Sequence, residues 1–251
     1  MKMQLFTGVF RWPVFLLALL TVCMQACKDD NDGPEATVRL NNNATLGNHL
    51  VDSKGKTLYV FSRDVSGNSA CEGNCLTVWP VYYEANLIPA QGLDAADFGT
   101  ITRSDGQKQT TFRGWPLYYY AQDAAAGEAK GENVNQVWFV AKPDYSLMVA
   151  SRGNRKYLVD VDGKTLYLFT NDTPGVSNCS GGCVGVWPLF SAETVVAPSL
   201  LASTDFKTIT RTDGQKQLTY KNVPLYYFAS DAARGDTTGG GVNKKWYTVV
   251  P

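Results

Sequence analysis

LVDSKGKTLYVFSRD, Leu50 to Asp64, returns downstream as LVDVDGKTLYLFTND, Leu158 to Asp172. The same offset, that from Leu50 to Leu158, holds without a gap to the end of the chain. Cys71 and Cys75 correspond to Cys179 and Cys183, Trp79-Pro80 to Trp187-Pro188, and Trp138 to Trp246. TRSDGQKQ (Thr102 to Gln109) corresponds to TRTDGQKQ (Thr210 to Gln217). Nearly half of the positions from Leu50 to Pro143 are identical to their counterparts. A fixed internal period over this length marks a duplicated structural unit.

A shorter pattern runs inside each unit. Y-x-[FY]-x-x-D occurs four times: Tyr59-Phe61-Asp64, Tyr118-Tyr120-Asp123, Tyr167-Phe169-Asp172 and Tyr226-Phe228-Asp231. Each Tyr follows a Leu. The steps from Tyr59 to Tyr118 and from Tyr167 to Tyr226 are equal, and the step from Tyr118 to Tyr167 is shorter. The chain therefore divides into two long repeats or four quarter-repeats.

The Tyr and the aromatic residue two places later share one face of a strand, and the Leu and its partner take the other. Apolar residues on both faces predict a strand buried on two sides. The Asp then opens a turn, where its carboxylate accepts backbone N–H groups. Further strands are expected over 36–40, 100–104, 108–113, 136–142 and their counterparts, with Asp-Gly hairpins at 105–106 and 213–214. Sustained helical periodicity is absent. The expected class is all-β, with a first unit over 36–143 and a second over 144–251. A propeller blade takes about 40–50 residues, which the quarter-repeats allow; a pair of β-sandwich modules is the rival. The join carries the apolar run SLMVA (Ser146 to Ala150) instead of a flexible linker. One compact body with pseudo-twofold symmetry is expected.

Upstream of the repeats, Lys2 and Arg11 precede an apolar stretch from Trp12 to Val22. Eleven residues at about 1.5 Å each cannot cross a hydrocarbon core of about 30 Å, and the length fits a signal-peptide h-region. Ala26 is the small residue that a signal peptidase requires before its cut. Residues 1–26 resemble a bacterial lipoprotein signal, with Cys27 as the lipidated residue. Residues 27–35 are polar and acidic and contain Gly33-Pro34, which predicts a flexible tether. An acidic run directly after the lipid cysteine resembles the export signal that sends lipoproteins to the cell surface in Bacteroidetes-type bacteria. The expected location is the outer membrane, lipid-anchored and facing the exterior, with the membrane as one partner.

The 251 residues carry 23 Lys+Arg against 23 Asp+Glu and a single His, His49. Zero formal charge and no long basic run argue against nucleic acid. One His removes most His-based metal and acid/base chemistry.

The lipoprotein signal, the four motifs, the C-x-G-x-C loops followed by Trp-Pro, and the DGQKQ…PLYY…W segments together resemble a family of bacterial secreted lipoprotein repeats with the Y-x-[FWY]-x-x-D motif. The resemblance covers nearly all of residues 50–251. It implies export and repeat architecture, and it carries no implication about mechanism.

The four thiols beyond the signal lie in CEGNC (Cys71 to Cys75) and CSGGC (Cys179 to Cys183). Export favours disulfides, and four cysteines allow three pairings. Gly73, Gly181 and Gly182 let each short loop fold back, which favours Cys71–Cys75 and Cys179–Cys183. Pairing between the units is the alternative. Two loops meeting to bind one ion through four thiolates, or acting as redox centres, is the rival functional reading. The expectation is no metal. Asp64, Asp123, Asp172 and Asp231 read as turn caps before ligands. Trp115 stands outside the repeat, since its counterpart is Val223, and is the candidate for contact with a glycan or apolar partner. The functional expectation is a non-enzymatic binding module for an unidentified protein or glycan. A redox or metal-handling accessory is the alternative, and glycan binding through Trp115 a third reading.

Overall fold

The computed structural model describes residues 34–251, together with residues 1, 2, 4 and 8. The apolar stretch Trp12 to Val22, Cys27 and nearly all of the 27–35 tether lie outside the described residues.

Residues 34–251 form one compact unit. The first half contains β1 (Val38–Asn43), β2 (Gly47–Asp52), β3 (Tyr59–Phe61), α1 (Asn74–Val78), β4 (Phe98–Thr102), β5 (Lys108–Phe112), β6 (Trp115–Pro116) and β7 (Trp138–Val140). The second repeats them as β8 (Leu147–Arg152), β9 (Arg155–Asp160), β10 (Tyr167–Phe169), α2 (Gly182–Val186), β11 (Phe206–Thr210), β12 (Lys216–Tyr220), β13 (Val223–Pro224) and β14 (Trp246–Thr248). Each half carries a β1–β2-type hairpin, a three-stranded β4–β5–β6-type sheet, and an antiparallel β3–β7-type pair. The all-β expectation holds. The blade expectation does not: among the described residues every sheet has two or three strands. Much of each quarter-repeat goes into loops that wrap side chains, which leaves too few residues for four-stranded blades.

Only the first motif of each half forms a strand, β3 and β10; the expected strands at Tyr118 and Tyr226 are reduced to isolated bridges to Tyr59 and Tyr167, because loops take up the chain on either side. Strand β3 is buried on both faces, as the sequence implies. Leu58 and Val60 join the core that runs through both halves. Tyr59 and Phe61 point the other way, into a separate aromatic cluster with Trp79, Tyr118, Tyr120 and Trp138. The second half has its own such cluster around Tyr167, Trp187, Tyr226 and Trp246. Within the first, Phe61, Trp138 and Trp79 stack with ring centroids 4.1 and 3.8 Å apart. Phe169, Trp246 and Trp187 repeat the column at 4.2 and 3.7 Å. Stacked pairs contribute about 0.5–1.5 kcal/mol each beyond the area they bury.

The halves meet through non-equivalent surfaces. Strand β8, whose LMVAS run is wholly buried, packs on the Ser62–Asp64 turn of the first half, and Ser151 Oγ lies 2.8 Å from Ser62 Oγ. Trp115 Nε1 donates to the Val161 carbonyl at 2.8 Å. Arg234 stacks 5.2 Å from the Trp115 ring centroid and donates to the carbonyls of Val65 and Arg113. A local twofold relation lies inside each half, where its two motifs exchange backbone hydrogen bonds.

Candidate functional site

Each motif is locked to the other motif of its half. Tyr59 and Tyr118 exchange both backbone hydrogen bonds, at 2.8 and 2.9 Å. The Tyr59 hydroxyl donates to Asp123 at 2.6 Å, and the Tyr118 hydroxyl donates to Asp64 at 2.6 Å. The second oxygen of each carboxylate caps a loop: Asp64 accepts from the Ala70 N–H and Asp123 from the Lys130 N–H. The second half repeats the arrangement through Tyr167–Asp231 and Tyr226–Asp172, at 2.6 and 2.8 Å. Turn capping, expected from position, is thus half of each aspartate's work; the other half is accepting a tyrosine from the partner motif.

Burial disfavours charge on these groups. It pushes Asp64 up to about 7, against the lowering effects of the Tyr118 and Ala70 hydrogen bonds and the Arg103 charge. Burial likewise raises Asp123 and Asp172, and holds Tyr59 and Tyr118 far above the usual phenol range. A carboxylate and phenol bonded to each other inside a packed cluster are poor candidates for proton transfer to a substrate.

The cysteines pair within their loops, Cys71–Cys75 and Cys179–Cys183, each with Cα atoms 5.4 Å apart. The two loops therefore do not join in a shared site, and among the described residues no group of three or more His, Cys, Asp or Glu could hold a metal. Each loop is fastened by a buried arginine. Arg103 donates to the Cys71 carbonyl at 2.7 Å, to Gln109 Oε1 at 2.9 Å and to Ser69 Oγ, and it pairs with Asp105 at 3.2 Å. Ser69 Oγ in turn lies 2.7 Å from the Tyr118 hydroxyl. Arg211, Asp213, Gln217, Ser177 and Cys179 repeat the network. The guanidinium is satisfied around its plane, which is what makes its burial tolerable.

Trp115 is 2% exposed. Its departure from the repeat is a correction to the sequence reading: it fits the single junction between the halves and does not face solvent. Arg234, whose counterpart is Ala126, departs for the same reason. His49 is fully buried, and burial lowers its pKa, in keeping with a packing role.

Several structural residues escaped the sequence reading. Asp52 caps Lys54 and Lys56 N–H and accepts the Tyr119 hydroxyl at 2.9 Å; Asp160 and Tyr227 match them. Arg103 and Gln109 were legible only as part of a hairpin. Their identity across the repeat was the available signal.

A cleft of about 650 Å³ is lined by the β8–β9 turn, the Gly-rich loop before β14, and β14 itself.

The family model for a secreted repeat of unknown function matches four successive segments, 42–82, 99–142, 148–191 and 207–250. No curated protein and no solved structure matches the chain. The four segments coincide with the four motif-bearing quarter-repeats and span more than half of the chain. The chain belongs to this family of secreted repeats.

Proposed function

We propose that this secreted repeat protein is a lipid-anchored binding module, held at the outer membrane through Cys27 and facing the cell exterior. Lys28 to Glu35 space the repeat body from the membrane surface. The observation that carries the binding reading is the commitment of the motif side chains. The Tyr, Asp, Arg and Cys groups with the capacity for chemistry are bonded to one another in both halves alike. A rigid scaffold of this kind serves recognition, and function then lies in what differs between its repeats.

Replacing Cys27 with Ala tests the anchor. Release of the protein from the membrane fraction into the soluble fraction is expected; unchanged retention would overturn the anchored reading.

A further inference from the structure

The cleft in the second half occupies a place that the first half fills with its own carboxylate. In the first half, Glu132 Oε2 accepts the Val140 N–H at 2.7 Å and Oε1 accepts the Ser199 hydroxyl at 2.6 Å. The counterparts of Glu132 and Val140 are Gly240 and Thr248. Tyr59 pairs with Val140 and Tyr167 with Thr248 in the same ladder register, so the two N–H groups point the same way from their strands. The second half therefore keeps the donor and lacks the acid.

Around that gap the second half gathers positive charge and hydroxyls. Arg152 and Arg155 face each other at the β8–β9 turn, where the matching strand ends of the first half are Asn43 and Gly47. Both are exposed, and among the described residues neither belongs to an ion pair. Thr237 and Thr248 replace Ala129 and Val140, and Tyr247, 43% exposed, replaces the fully buried Phe139. Thr237, Gly240, Gly241, Tyr247 and Thr248 all differ from their counterparts.

We propose that this cleft binds an acidic saccharide, its carboxylate taking the place of the Glu132 side chain. The carboxylate accepts the Thr248 N–H and pairs with Arg152 and Arg155, for which the guanidinium fork is suited. The exposed face of Tyr247 packs on the apolar side of the sugar ring, and the threonine hydroxyls meet ring hydroxyls. A volume of about 650 Å³ lies within the usual range for small-ligand sites. The inference rests on the binding-module reading and supplies its ligand class.

Calorimetric titration of the exported protein with digalacturonate tests it, beside neutral lactose and a short peptide ending in a free carboxylate. Saturable binding of digalacturonate alone is expected, weakening as salt is raised. The surface double variant Arg152→Ala/Arg155→Ala should weaken it about tenfold or more. Gly240→Glu should abolish it by restoring an internal carboxylate, while thermal stability is kept. No binding of digalacturonate, equal binding of lactose or of the peptide, or binding unchanged in both variants would overturn the proposal. Capture of neutral glycans on an array by a protein that ignores acidic ones would overturn the site while leaving the binding-module reading intact.

Discussion

Tyr59 and Tyr118 face each other across a local dyad, and each gives its phenol to the aspartate of the other's motif. The recurring Y-x-[FY]-x-x-D pattern is therefore one half of a two-part lock. A single motif can cap its own turn, but only a pair closes both Tyr–Asp bonds. This gives a physical reason for the even number of quarter-repeats, and for the tandem of two complete locks in this chain.

Removing one phenolic oxygen should be costly. Tyr59→Phe leaves Asp123 Oδ2 without its donor in a buried cluster and also removes the acceptor of the Gly131 N–H. A loss of about 1–3 kcal/mol is expected from chemical denaturation, the range for a buried polar group left unpaired. A change within error would show the bond to be dispensable.

Gly131 lies against the lock in a second way. A β-carbon there would sit 2.9 Å from Trp79 Cη2 and from Tyr59 Cε1 and Cζ, and Gly239 meets Trp187 and Tyr167 in the same manner. Gly131→Ala should destabilise by about 1–3 kcal/mol, the usual cost of overpacking. Gly106→Ala is the control for backbone strain alone, since its φ is positive but no atom lies near its β-carbon. Equal effects of the two in thermal melts would contradict the close-packing explanation.

The disulfides should matter modestly to global stability. In the chain-entropy model a loop of this size yields about 2 kcal/mol. Cys71→Ser/Cys75→Ser should lower stability by about that amount and leave the fold intact, because Arg103 still holds the Cys71 carbonyl. Loss of folding on gentle reduction, read by near-ultraviolet circular dichroism, would give the bridges a larger part than assigned.

Stability should rise on mild acidification. The folded state holds the Asp64 proton up to about pH 7, whereas an unfolded Asp releases it near 4. Protons are thus bound more tightly in the native chain, so the stability they confer is complete below about pH 4 and is lost as pH climbs to about 7. The raised Asp123, Asp172 and Asp160 act in the same direction, and among the buried groups of the described residues the lowered His49 alone opposes them. A higher melting temperature at pH 5 than at pH 7.5 is expected, with a weaker dependence in Asp64→Asn. The opposite slope would refute the assigned direction.

Much of this was legible in the residues. The long internal period, the strand faces of Leu58 and Tyr59, and the loop-closing cysteine pairs follow from spacing, alternation and glycine content. Which aspartate a given tyrosine reaches does not, because the crossing is set by a backbone exchange between motifs distant in the chain. Trp115 misled because departure from a repeat has two causes. Trp115 and Arg234 differ from their counterparts because the tandem has one junction and each half presents a different side to it. Gly240 differs by lacking a side chain, and a sequence alone cannot show that the missing carboxylate leaves a cleft beside two arginines.

The most direct measurement is a double-mutant cycle on Tyr59 and Asp123, with stability read by denaturant unfolding of wild type, Tyr59→Phe, Asp123→Ala and the double variant. A reciprocal lock predicts that the double variant loses less than the two single losses combined, with a coupling energy of about 0.5–3 kcal/mol. Simple additivity would contradict the lock, free the motif side chains for another role, and remove the main support for reading this protein as a scaffold for binding.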